Sequence, residues 1–166
     1  AYDKFSGNDY APDLMIEEAL GWLGEERDEP FFLYYATPVP HVSLQVPEDS
    51  LAPYAEKGWD EAPYLGNKGY TPHPAPRAAY AAMITRMDRD IGRLVERLEE
   101  LGLRDDTLIV FTSDNGPTFN GGTDSKFFKS SGGLRGGKTT PYEGGIRVPM
   151  IAGWAGRIAP RTGGDP

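Results

Sequence analysis

Apolar residues recur at helical spacing in two places. Within residues 13–23, Leu14, Ile16, Ala19, Leu20 and Leu23 share a face, with Pro12 ahead and Gly24 behind, which predicts a short helix. The second stripe is longer: Met83, Met87, Ile91, Leu94, Leu98 and Leu101 keep the period over 76–101. Pro76 suits its first turn and Gly102 its C-terminal cap. Charges at Arg86, Asp88, Arg89, Asp90 and Arg93 read mostly as its solvated face. Three other runs are apolar without that period. Residues 31–36 and 107–112 each predict a strand buried on both faces, and 148–152 a short third strand at an edge or bulge because of Pro149.

A long helix between two apolar strands makes a crossover unit, so those strands are expected to be parallel neighbours or near neighbours. The fold class is therefore α/β, with a partial sheet of mainly parallel strands, a long crossover helix and long loops rich in Gly and Pro. Between the first strand and the helix, residues 37–76 hold eight prolines and read as one loop; a loop that long in a compact domain is often functional. Residues 113–145 are rich in glycine and show no period. There is no internal repeat, and residues 1–166 read as a single segment of one domain.

The net charge of −8 argues against nucleic acid as a partner, since phosphate neutralisation needs clustered Lys and Arg. A local excess does exist at Lys126, Lys129, Arg135, Lys138 and Arg147, so a small anion is still admissible. No apolar run is long enough to span a membrane, and no signal peptide is visible. With no cysteine, the chain has neither disulfides nor a Cys nucleophile.

Candidate chemistry lies at the ends of the predicted strands. In open α/β sheets ligands bind beyond the carboxyl ends of the strands; His41 follows the first strand closely, and Asp114 and Asn115 end the second. Asp114 and Asn115 offer hard oxygens suited to Ca²⁺ or Mg²⁺; the same residues also favour a plain Asx turn. Lys138 and Arg135, in a glycine-rich loop, could hold an anionic oxygen group or stand in solvent. His41 could donate to an anion or protonate a leaving group, or cap a local carbonyl. His73 reads as structural or as part of a substrate rim. The segment 132–139 has the spacing of a phosphate-binding loop, but no convincing strand precedes it, and Pro141, Gly144 and Gly145 oppose the helix that must follow. Trp22, Trp59 and Trp154 carry no assignment.

Taken in order, the motifs resemble those of the type I sulfatases of the alkaline phosphatase superfamily, in their arylsulfatase-like branch. They are Phe31-Phe32-Leu33-Tyr34-Tyr35, Pro40-His41, the run from Leu108 to Gly116 ending in Ser113-Asp114-Asn115-Gly116, Leu134-Arg135-Gly136-Gly137-Lys138, and Tyr142-Glu143-Gly144-Gly145-Ile146-Arg147-Val148-Pro149. The resemblance implies a partial alkaline-phosphatase-like sheet. It implies that Asp114 and Asn115 are calcium ligands, that Lys138 binds the sulfate group, and that His41 contacts a sulfate oxygen near the leaving group. The implied substrate is a sulfate ester, aryl or carbohydrate, and the implied compartment is periplasmic, secreted or lysosomal.

The family's formylglycine arises from a Cys or Ser in a Cys/Ser-x-Pro-x-Arg motif, which this sequence lacks. Also missing are the Asp-Asp pair that completes the calcium site and a Gly-Lys-x-x-His segment. The expectation is a central fragment, beginning after those motifs, ending before the C-terminal subdomain and inactive alone. Two alternatives stand beside it: a phosphate mono- or diester hydrolase of the same superfamily, and a non-catalytic module that binds sulfated glycans.

Overall fold

The computed structural model describes residues 7–66 and 69–159. Its elements in order are α1 (Ala11–Leu23), the short helix α2 (Ala52–Ala55), the long helix α3 (Pro76–Glu100), β1 (Ile109–Thr112), the short helix α4 (Glu143–Ile146) and β2 (Met150–Gly153).

Helix α1 buries Ile16, Ala19 and Leu23, and it packs along α3. The first half of α3 is rich in alanine, and Ala78, Ala79 and Ala82 are buried there with Met83. Small side chains let neighbouring backbone come close. The pairing is fixed at its rim by Arg86, which donates through Nε to Asp13 at 2.8 Å and through a second nitrogen to the other carboxylate oxygen, and by Arg93, 2.7 Å from Glu17. The helical face expected to be solvated is thus partly engaged: Asp90 is buried, and its carboxylate accepts from Arg89 at 2.9 Å. Leu98 ends the buried stripe, while Ile91 and Leu94 are half-buried. Gly102 closes the helix at φ +69°, as its capping role requires.

The proline-rich loop is not loose. Val39, Val42 and Leu44 pack with Ala79 and Met83 into the core cluster, flanked by Val46, Leu51, Tyr70, Tyr80 and Met87. Leu44 is 1% exposed. The same loop caps α3: Ala75 supplies no side-chain cap, and Glu61 instead accepts from the backbone N–H groups of Arg77 and Ala78. A carboxylate there satisfies orphan donors and complements the positive helix end.

The expected strand at 31–36 does not form among the described residues. Residues 30–38 join no ladder, and Thr37 N–H turns back to Tyr35 O at 3.1 Å. Phe32 and Tyr34 are 87% and 79% exposed, whereas Phe31, Leu33 and Tyr35 are half-buried. Phe31 meets Trp22 of α1 edge-on at 5.5 Å. A continuous apolar run is compatible with burial on two faces, but it forms a strand only where a second backbone lies alongside; none does among the described residues. The ladder that does form is antiparallel, not parallel. It joins β1 to β2 with Ile109 opposite Gly153 and Thr112 opposite Met150. The third strand was therefore correctly expected near 148–152, begins after Pro149, and pairs with the second.

Candidate active site

β1 ends at Thr112, and the chain bends at Asp114 and Asn115. The bend is held by Ser113, whose Oγ donates to the Asn115 carbonyl at 2.9 Å. Asp114 is exposed, and its carboxylate has no hydrogen bond or ion pair among the described residues. An Asx turn would have used it. Asn115 donates its Nδ2 to the Gly116 carbonyl at 3.0 Å, which orients the amide and leaves Oδ1 as a free acceptor.

Glycine then explains how the rest of the rim is assembled. Gly116 donates its N–H to Gly145 O at 2.9 Å, and a Cβ on Gly116 would overlap the Gly144 carbonyl. Gly144 donates to Arg135 O at 2.8 Å, and a Cβ on Gly144 would sit 2.8 Å from that same oxygen. A Cβ on Gly145 would lie 2.6 Å from Gly137 O, and one on Gly137 would lie 2.7 Å from Pro117 O. Three stretches of backbone therefore lie against one another with no room for side chains. The glycine-rich composition is a packing requirement, not looseness.

Lys138 lies inside this knot. Its N–H donates to Pro117 O at 2.8 Å, which fixes it beside the segment that follows Asp114 and Asn115. Of the described lysines it alone is half-buried; Lys57, Lys126 and Lys129 are exposed. No carboxylate lies within ion-pair distance of it among the described residues. The next residue, Thr139, has φ +72°, an unfavourable conformation for a β-branched side chain. Thr140 holds that turn: its Oγ1 donates to Gly137 O at 2.8 Å and accepts from Gly137 N at 3.2 Å. Strain of this kind clusters at functional sites when the surroundings enforce it. It also rules out a phosphate-binding loop, since no helix begins at Lys138-Thr139; α4 starts later and is four residues long.

His41 is exposed, and its Nδ1 lies 2.5 Å from the Val42 carbonyl oxygen. That oxygen only accepts, so Nδ1 carries the proton and Nε2 is the nitrogen left for a ligand. The His41 segment touches the rim through its neighbour: a Cβ on Gly121 would lie 2.8 Å from Val42 Cβ. Residues 116–121 are thus held to 137–145 at one end and to Val42 at the other. The structure joins the segments that carry His41, Asp114, Asn115 and Lys138 in this way; no hydrogen bond or ion pair links any two of the four side chains.

A second polar assembly was not anticipated. Arg77, at the start of α3, donates through Nε and a terminal nitrogen to Asp124 Oδ2 at 2.8 and 2.7 Å, and lies 4.2 Å over the Phe127 ring. That guanidinium beside Asp124 holds the carboxyl below its ordinary range. Phe127, Phe128, Trp59 and Tyr80 stack around it with centroids 4.9 to 5.7 Å apart. A cavity of about 320 Å³ opens here, lined by Glu61, Tyr64, Arg77 and Asp124 among others. It contains none of the four residues expected to carry chemistry, and its Glu61, Arg77 and Asp124 groups already bond one another or the α3 backbone, so it is a clasp tying two loops to one helix end. His73 is structural too. It pairs with Tyr64 through two 2.9 Å backbone bonds, and its Nδ1 accepts from Ala75 N at 3.1 Å. Burial pushes its pKa below the ordinary 6.5.

The segments carrying an unpartnered carboxylate, a free amide oxygen, a half-buried lysine and an exposed histidine thus meet through one glycine-packed rim. Residues 2–163 match the Sulfatase family, and the chain belongs to that family. It is 32% identical over 154 residues to an N-acetylgalactosamine-6-O-sulfatase of Bacteroides thetaiotaomicron, a match covering 89% of this chain and 26% of that protein. It is 34% identical over 155 residues to Arylsulfatase A of Homo sapiens, covering 91% of this chain and 24% of that one. The crystal structure of Ps i-CgsB in complex with k-i-k-neocarrahexaose is similar in fold, with a TM-score of 0.69 and 32% identity over 92% of this chain and 30% of that one. The chain spans about a quarter of the length of the two curated relatives.

Proposed function

We propose that this chain carries one side of the active site of a sulfate ester hydrolase, the part that binds the sulfate group and half of a calcium site. The observation that carries the reading is the Asp114–Asn115 bend, where a carboxylate without partners sits beside an amide whose nitrogen is engaged and whose oxygen is free. Those donors are of the type a hard cation takes, but they are two of about six to eight that calcium needs, and among the described residues no group of three or more His, Cys, Asp or Glu side chains could hold a metal. When bound, the cation would draw charge from the sulfate oxygens.

The other roles belong to residues of the same rim. Lys138 places an ammonium on a sulfate oxygen, and its fixed backbone spares the cost of ordering it at each encounter. His41 presents Nε2 to a sulfate oxygen near the leaving group, donating once protonated. Without cysteine or a Cys/Ser-x-Pro-x-Arg motif, this chain provides no attacking group, and the formylglycine of the family's reaction has no residue here to carry it. The same reading takes β1 and the 31–36 run as parallel members of a larger sheet. Sulfated sugars are the favoured substrates, because two of the similar proteins are an N-acetylgalactosamine-6-O-sulfatase and a protein solved with k-i-k-neocarrahexaose.

A titration with inorganic sulfate, followed by NMR, tests the site. Sulfate is expected to shift the His41 ring and Lys138 side-chain signals together, and Lys138→Ala to abolish the His41 shift. Sulfate that moves neither signal would overturn the assignment. In parallel, the chain is expected to show no turnover of an aryl sulfate and only weak calcium binding by calorimetry. Sustained hydrolysis that Lys138→Ala removes would show that the chain holds its own nucleophile.

A further inference from the structure

The sequence contains two Asn-Gly pairs, Asn115-Gly116 and Asn120-Gly121, both between β1 and Lys138. This dipeptide is chemically labile, because glycine has no Cβ to shield its nitrogen from the preceding side-chain amide. We propose that Asn120 is a site of spontaneous deamidation in the folded protein and that Asn115 is protected from it.

In the reaction the Gly121 backbone nitrogen loses its proton and attacks Cγ of Asn120. A nitrogen–carbon bond forms, the Cγ–Nδ2 bond breaks, and ammonia leaves. Water then opens the five-membered imide at either carbonyl, leaving aspartate or isoaspartate at position 120.

The two sites differ in the exposure of the asparagine and in the hydrogen bonding of the reacting groups. Asn120 is exposed, while Asn115 is half-buried. Among the described residues the Asn120 side-chain amide makes no hydrogen bond and the Gly121 N–H donates to nothing; the Asn120 backbone is held, its N–H on Thr118 Oγ1 at 3.3 Å and its carbonyl by Thr123 Oγ1 at 3.0 Å. At the other site the attacking nitrogen is occupied, since Gly116 N–H donates to Gly145 O at 2.9 Å. The amide to be attacked is held too, by its own bond to Gly116 O at 3.0 Å.

Isoaspartate inserts one extra carbon into the backbone just ahead of Gly121. Gly121 lies directly against Val42, where even a methyl group would overlap. Ageing at position 120 therefore reaches the segment that carries His41. The inference stands whether or not the rim binds sulfate.

Incubation of the chain in mildly alkaline buffer, followed by proteolysis and mass spectrometry of the two Asn-Gly peptides, tests it. Losing the Gly116 hydrogen bond alone predicts that Asn115 reacts at least about fivefold more slowly than Asn120 in the native chain. The same measurement in denaturant is expected to bring the two rates together, which shows that the fold and not the sequence sets the ratio. Asn120→Ser is expected to remove the fast phase and leave only the slower reaction at Asn115. Equal native rates, faster reaction at Asn115, or no reaction at Asn120 would each overturn the proposal.

Discussion

Around α3, side chains fill the space between backbones: Val42, Leu44, Ala79 and Met83 meet in a small apolar core. Where residues 116–117, 135–137 and 144–145 come together the backbones themselves meet, and side chains are excluded, as Gly116 against Gly144 shows. Both regions are fixed, but by different means. A core tolerates a change of shape if volume is kept. A backbone-on-backbone contact tolerates no added atom, and so the rim can hold Lys138 and Asn115 in place with almost no apolar burial of its own.

The largest test of that contrast is Gly116→Ala. The new methyl group overlaps a carbonyl that cannot move without dislodging Gly145, so a loss of about 4 kcal/mol or more is expected. Gly132→Ala is the matched control: φ is +60° but nothing lies within 4 Å, so only the conformational cost of about 1 kcal/mol applies. Urea unfolding separates the two, and equal losses would mean that the rim is not close-packed. Next comes Leu44→Ala, expected to cost about 3 kcal/mol through lost burial and the cavity left behind. It should lower the unfolding midpoint while leaving sulfate-induced shifts at Lys138 in place; loss of both together would show that the two regions are not separately held.

The smallest effect is on pH. His73 has a folded pKa below its unfolded value of 6.5. Above that value the histidine is neutral in both states and its structural bonds contribute fully. As pH falls through 6.5 the unfolded chain takes up the proton first, so stability drops until the folded pKa is passed. Thermal melts across that range should show the decline, and His73→Gln should flatten it. An unchanged slope would place the titrating group elsewhere.

The parts legible in the sequence are those set by local rules. The period of α3, its proline start and its glycine end all follow from residues a few positions apart, and the bend at Asp114 and Asn115 follows from the end of an apolar run. The parts missed depend on what lies across space. Residues 31–36 announced burial, but whether a strand has a partner is not a property of the strand. Asp90 falls in a run of charges that reads as solvated, and its burial depends on packing across space. The Glu61 cap of α3 comes from fifteen residues upstream, out of reach of any capping pattern. The glycines were visible, and only the contacts reveal that Gly116, Gly137, Gly144 and Gly145 are spacers between backbones.

The three tryptophans fall in three separate settings. Trp22 of α1 lies under the Arg27 guanidinium at 3.9 Å, Trp59 sits among Phe127 and Phe128 in the clasp, and Trp154 follows β2 with its indole N–H on the Asp105 carbonyl at 2.8 Å. Each part of the molecule thus carries its own optical probe. Emission recorded from chains that keep one tryptophan and replace the other two with phenylalanine would report helix layer, clasp and strand pair independently. The order in which their signals shift during unfolding would then time the release of the rim against the melting of the core.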